Sequence, residues 1–415
     1  MDGICGRQPR RKAGLGGKGA NIDTLCQLHF GIAAQADQSC LLQGWSHPED
    51  GFTWAVGQES RFVLPVGTVC PKDGVLLLEL DLNPFAPPGS PAGQRLSVTA
   101  GGALVAEERI VGEGTVAYEL PRAAWPGDGE LLVVLHMPDA CRPAAFGHGT
   151  DQRMLGFMLR SAALRRVASL PPVPGRCLPP LQLPPTRASD VLGEAFEQRT
   201  GLSPAALLSG FESLGHNCEF GMAQRHFGAE PLGLLRFAGI ALPDLVRGLD
   251  AGFAGLGEAD QLEVVLTDEG RREFMAHDTR YNLLLHTLRY TDETDAAPVR
   301  EDSMRHLRFL HGMFTERLAS GDKLFVVQRP GQTLVSQTRP LLERLRASGP
   351  SALLFVTPGS DHPPGTVEEL GFGFFRGWTD FTAPLGDVGN CNLAAWLSLC
   401  ANAMRLWSVQ QAAVA

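Results

Sequence analysis

The chain has 415 residues, 44% of them hydrophobic and 20% charged, and a formal net charge of −9. This is a globular composition, long enough for two or three domains. The acidic balance gives a nucleic-acid partner no electrostatic support, and no apolar run reaches the roughly 18 residues of a membrane span. The nine cysteines (5, 26, 40, 70, 141, 177, 218, 391 and 400) are odd in number and form no CxxC pair. They indicate neither a disulfide framework nor a metal site, and the expected location is a reducing cytoplasm.

Residues 1–27 read as a disordered basic tail without the apolar segment of a signal peptide. Gly14-Leu-Gly-Gly-Lys-Gly19 imitates a phosphate loop but follows no strand, and Lys18 is not followed by Ser or Thr. No cofactor is expected. Residues 28–168 carry short apolar runs, such as Val75–Leu80 and Leu131–Leu135, between Gly and Pro turns. That spacing predicts an all-β sandwich. Trp45 and Trp54 bracket Glu49-Asp50, which suits either glycan binding or two indoles plugging the core. Seven prolines between Ser169 and Pro185 predict a stiff extended linker over 169–189.

From 190 to 415 the pattern becomes α/β. Helices are expected over 190–199 and 203–208. Phe211–Leu214 reads as a strand broken by Gly215. Asn217 then caps a helix over 218–227, with Phe220, Ala223 and Phe227 on one face. Cys218 would lie in the first helical turn, where the dipole favours a thiolate. Met304–Ala319 is amphipathic. The strands at 323–328 and 352–357, joined through a helix opening on Pro340, form a βαβ unit with parallel pairing. Asn390 is expected to cap a last helix ending near Gln410.

A cysteine nucleophile needs a base. His286, chosen because its segment resembles part of a known family, is the first choice and His216 the second, against the alternatives of a core and a loop histidine. Arg225, with Glu230, would either bind an anionic group or form a salt bridge that orders a turn. Asp361 and His362 follow a parallel strand, where open α/β sheets bind ligands. Trp378 and Asp380, in a turn-like Gly377-Trp-Thr-Asp380, would give a sugar platform and a polar anchor, unless the indole is packed.

Two parts of the chain carry family resemblances. Gly44-Trp-Ser-His-Pro-Glu-Asp-Gly-Phe-Thr-Trp54 and Asp151–Ser161 resemble the ends of a β-sandwich module found beside bacterial glycosyltransferases and cell-surface polysaccharide enzymes. Ser213-Leu-Gly-His-Asn-Cys218, Arg236-Phe237, Tyr281-Asn-Leu-Leu-Leu-His286 and Arg305-His-Leu-Arg-Phe309 resemble an uncharacterised bacterial family classed with papain-like cysteine peptidases. The βαβ unit departs from a papain-like layout. The two resemblances together imply a cysteine-dependent hydrolase or acyltransferase of surface-polysaccharide metabolism, with a carbohydrate or glycoconjugate as partner. The alternative is a non-catalytic, glycosyltransferase-associated carbohydrate-binding protein in which Cys218 is structural.

Overall fold

The computed structural model describes residues 23–67, 74–88, 93–125, 129–267, 271–329, 335–383 and 387–414, without the side chains of 34–37, 336 and 337. The phosphate-loop-like Gly14–Gly19, Cys5 and Cys70 lie outside these residues.

The first half is built of ten strands: β1 (Asp23–His29), β2 (Leu41–Gln43), β3 (Thr53–Val56), β4 (Glu59–Pro65), β5 (Val75–Pro84), β6 (Gln94–Ala100), β7 (Ala103–Ile110), β8 (Gly114–Leu120), β9 (Glu130–His136) and β10 (Leu155–Val167). They form two antiparallel sheets, β1-β10-β5-β8 with β3 against β10, and β2-β4-β9-β6-β7. Alternate residues of β4 and β9 point inward, so Phe62, Leu64, Leu131, Val133 and Leu135 share one core with Leu76, Leu78 and Leu80 of the facing sheet. Residues 23–27, expected to belong to a disordered tail, form part of a strand. Asp23 pairs with Arg166 of β10, and the antiparallel ladder continues to Gln27 opposite Ala163.

The second half contains β11 (Cys177–Leu178), α1 (Ser189–Thr200), α2 (Pro204–Ser209), β12 (Phe211–Ser213), α3 (Glu219–His226), β13 (Ala238–Gly239), α4 (Leu242–Asp250), β14 (Leu262–Leu266), β15 (Glu273–Asp278), β16 (Leu283–Tyr290), α5 (Ala296–Ser320), β17 (Leu324–Gln328), α6 (Val335–Ser348), β18 (Ala352–Pro358), β19 (Val367–Gly371), β20 (Phe374–Thr379) and α7 (Leu393–Val414). A mixed sheet runs β11-β19-β20-β18-β17-β12, with parallel pairing from β12 through β17 and β18 to β20. Its strands are apolar on both faces, as buried parallel strands must be. Phe325, Val327, Leu353 and Phe355 face α5 and α6. Leu324, Val326, Leu354 and Val356 face α1, α2 and α7. A smaller antiparallel sheet, β13-β16-β15-β14, carries α5 on one face.

Several expected boundaries shift. The proline-rich segment is extended, but it lies on the second half instead of hanging free. Cys177–Leu178 pair with β19, Arg176 is bidentate on the buried Glu369, Leu181 N–H donates to Ser398, and Asn402 donates to the Pro179 carbonyl. Pro340 falls inside α6 instead of opening it. The last helix begins at Leu393, and Asn392, not Asn390, accepts the Ala395 N–H at 3.0 Å.

The halves meet through α4 and α6 against β8. Glu79 of β5 accepts from Arg165 Nε and Arg344 Nη2, both at 2.5 Å, and the Glu79 and Arg344 side chains are only 8% and 7% exposed.

Candidate functional site

The turn after β12 is built of residues with special backbone needs. Gly215 and His216 both have left-handed φ, 80° and 81°. A side chain on Gly215 would meet Ile240 Cγ2 at 2.9 Å, so the turn packs closely on the segment around β13. Asn217 Oδ1 accepts the Glu219 N–H at 3.1 Å and starts α3. Cys218 occupies the N-cap position of α3, one residue before the first helical turn in which it was expected.

The surroundings of Cys218 differ from those expected. Its side chain is buried, and that burial, together with the charge of Glu273, pushes the thiol up to about 11. Among the described residues no hydrogen bond reaches the thiol. A half-charge helix terminus does not offset removal of the thiolate from water. His216 does not supply the missing cation. Burial, with the nearby Arg329 charge, pushes its imidazole down to about 4, so it is neutral at pH 7.

The residue after Cys218 plays the larger structural part. Glu219 is completely buried and accepts from Gln328 Nε2 (2.9 Å), the Ala383 N–H (2.8 Å) and Trp396 Nε1 (3.0 Å). A buried carboxylate with three donors ties α3 to β17, to the chain after β20 and to α7. It is inconspicuous in the sequence, because an acidic residue in a first helical turn looks like an ordinary dipole partner.

His286 is neither buried nor next to Cys218 by any hydrogen bond. It lies on β16 with its side chain 42% exposed, and Nδ1 meets Glu273 Oε2 of β15 at 3.0 Å. The pairing register slips beside this point, between Phe274 and Met275. The slip throws Leu288 into left-handed φ (55°), and its N–H donates to Glu273 Oε1 at 2.7 Å. One carboxylate therefore holds both the imidazole and the strained bulge, a device that re-aims a side chain. Glu273 had one legible signal, a carboxylate in the otherwise apolar run Glu273-Phe-Met-Ala276.

His286 opens onto a pocket of about 630 Å³ between β15, β16 and α5. Its walls include Leu234, Phe237, Ala276, Leu285, Val299, Leu307 and Leu310, and its polar groups are His286, Thr287, Arg289, Asp302, Ser303, Arg305 and His306. The segments ending at His286 and spanning Arg305–Phe309, far apart in sequence, thus line one cavity. Cys218 does not line it. Arg305 is paired with Asp302, whereas Arg289 has no side-chain partner among the described residues.

The remaining candidates fall elsewhere. Arg225 Nε bonds Glu230 Oε1 at 2.8 Å, and the buried Arg236 bonds Glu230 Oε2 at 2.6 Å, so the pair orders the turn and leaves Arg225 no free role as an anion binder. Trp378 is 3% exposed within β20, beneath the His362 ring at 4.2 Å, so it cannot serve as a sugar platform. Asp361 is exposed. Asp380 accepts from Asn392 at 3.0 Å and lies beside His362 in an open groove at the carboxyl ends of β18 and β20. Trp45 joins the sandwich core, with Nε1 donating to the Arg61 carbonyl at 2.7 Å, while Trp54 projects from the other face between Phe52 and Phe85. The two indoles do not form one platform. Among the described residues no group of three or more His, Cys, Asp or Glu side chains could hold a metal ion, and no helix is long and apolar enough to cross a membrane.

No family model and no curated protein sequence matches the chain. Solved structures give remote likenesses. A family GH115 4-O-methyl-alpha-glucuronidase with specificity for decorated arabinogalactans shares 14% identity at a TM-score of 0.21, over 34% of this chain and 17% of its own. A carbohydrate-binding module, CBM36, crystallised with calcium and xylotriose, shares 10% identity at 0.17, over 35% of this chain and 93% of its own. An acetyl xylan esterase from the rumen bacterium Butyrivibrio proteoclasticus shares 8% identity at 0.18, over 95% and 98%. This chain spans about a sixth of the length of the glucuronidase it matches. Scores this low carry no argument about fold or activity.

Proposed function

We propose that the pocket over β15, β16 and α5 is the active site of a hydrolase or acyltransferase in which His286, not Cys218, performs the chemistry. The observation that carries this reading is the 3.0 Å bond to Glu273 from Nδ1 of His286, a residue that lines the pocket. A carboxylate on Nδ1 fixes the tautomer that leaves Nε2 as the basic nitrogen. A water or substrate hydroxyl gives its proton to Nε2 while its oxygen bonds to an acyl carbon. The carbon–oxygen bond to the leaving group then breaks, and the proton passes from Nε2 to that group. Cys218 is a buried structural thiol in this scheme. The resemblance of the first half to modules beside polysaccharide enzymes leads us to place the substrate among glycoconjugates.

Release of p-nitrophenol from p-nitrophenyl acetate, butyrate and octanoate tests the reading. His286→Gln is expected to lower the rate by about 10²–10⁴, and Cys218→Ala to leave it near that of the parent. Loss of activity in Cys218→Ala with retention in His286→Gln would restore the cysteine nucleophile. Absence of hydrolysis in the parent protein would overturn the reading.

A further inference from the structure

We infer that the group held in the His286 pocket is a hydrocarbon acyl chain whose carboxyl end lies against Arg289. The inference rests on the catalytic reading above and names its substrate class. The inner walls, including Leu234, Leu285, Leu307 and Leu310, are apolar. The volume of about 630 Å³ equals roughly twenty water-sized groups. A two-carbon acyl group would leave most of it empty. Phe309 extends the apolar surface to the mouth, with 55% of its surface exposed. His286, Thr287 and Arg289 sit together on β16. There Arg289 offers a guanidinium without a side-chain partner among the described residues. An apolar chamber with a cation and an imidazole on one strand of its wall complements an amphiphile with an oxyanion head. The carboxylate released by hydrolysis of an acyl ester has that shape.

Isothermal titration of the intact chain with acetate, butyrate, hexanoate, octanoate and decanoate tests this directly. Affinity is expected to rise about fourfold per methylene until the chamber is full. Arg289→Ala should weaken decanoate at least tenfold and leave decanol unchanged. Ser303→Trp, on the half-exposed surface of α5, should take up part of the chamber and weaken binding of both at least tenfold. Affinity independent of chain length, unchanged decanoate binding in Arg289→Ala, or unchanged binding in Ser303→Trp would each overturn the inference. His286→Gln should fail to hydrolyse p-nitrophenyl octanoate while the carboxylate series keeps its roughly fourfold step per methylene. Intact binding in a chain whose parent hydrolyses nothing would remove the catalytic reading and leave the ligand class standing.

Discussion

Replacement of Glu79 by Ala probes the junction between the two halves. Glu79 joins Arg165 of its own sandwich to Arg344 of α6, and the carboxylate and Arg344 are both nearly buried. Removing one partner of a buried pair costs about 3–5 kcal/mol, because the other charge is stranded. Arg344 keeps Asp250 at 3.1 Å, but that carboxylate is 52% exposed and compensates weakly. Arg165 is 33% exposed and regains water. The expected loss is therefore near the lower end, about 3 kcal/mol, a large share of the 5–15 kcal/mol typical of a folded domain. Urea unfolding followed by tryptophan fluorescence and by circular dichroism measures it. A Glu79→Leu/Arg344→Met double variant should recover at least half of the loss, since an apolar pair leaves no stranded charge. A loss below about 1 kcal/mol for Glu79→Ala would mean that the junction behaves as a surface pair, and the reasoning fails.

Three further outcomes are expected. Iodoacetamide near pH 7 should modify the exposed Cys177 well before Cys218, whose thiol burial holds near 11, and mass spectrometry showing the reverse order would restore the reactive cysteine. Glu212 is buried beside Arg317, and burial outweighs that cation, raising the carboxyl from 4.5 to about 7. The folded state then holds a proton that the unfolded chain releases, so stability should fall by roughly 3 kcal/mol as pH rises from 4.5 through 7. Glu212→Gln should flatten that slope, and an unchanged slope would assign it to other groups. Trypsin under native conditions should spare the bond after Arg176, because its side chain and N–H are held by Glu369 and the next two residues pair with β19. Rapid cleavage there would show that the strap detaches.

The sequence was most informative where burial on both faces writes itself as a continuous apolar run. Leu324–Gln328 and Ala352–Pro358 were legible as parallel strands for that reason. The small sheet was not, since β13 has two residues and β16 mixes Leu with His and Arg. The site shared that obscurity. His286 was found as a candidate through a resemblance, but Glu273, thirteen residues earlier, could be paired with it only by knowing a register slip that no side-chain pattern announces. The environment of Cys218 was hidden for another reason. Its helix terminus was legible, whereas the burial that raises its thiol is a property of the finished packing.

The three donors around Glu219 lie 109, 164 and 177 residues further along the chain. During synthesis the carboxylate leaves the ribosome long before Trp396 exists. Until that indole arrives, closing the mixed sheet would seal an incompletely bonded acid in an apolar interior. The second half is thus built to finish late. Its early strands gain their final partner only when α7 docks, and a nascent chain stopped before 396 should keep α3 accessible to hydrogen exchange. Contacts of such long sequence separation favour slow, concerted closure over stepwise assembly, which makes the last helix the timer for the whole α/β half.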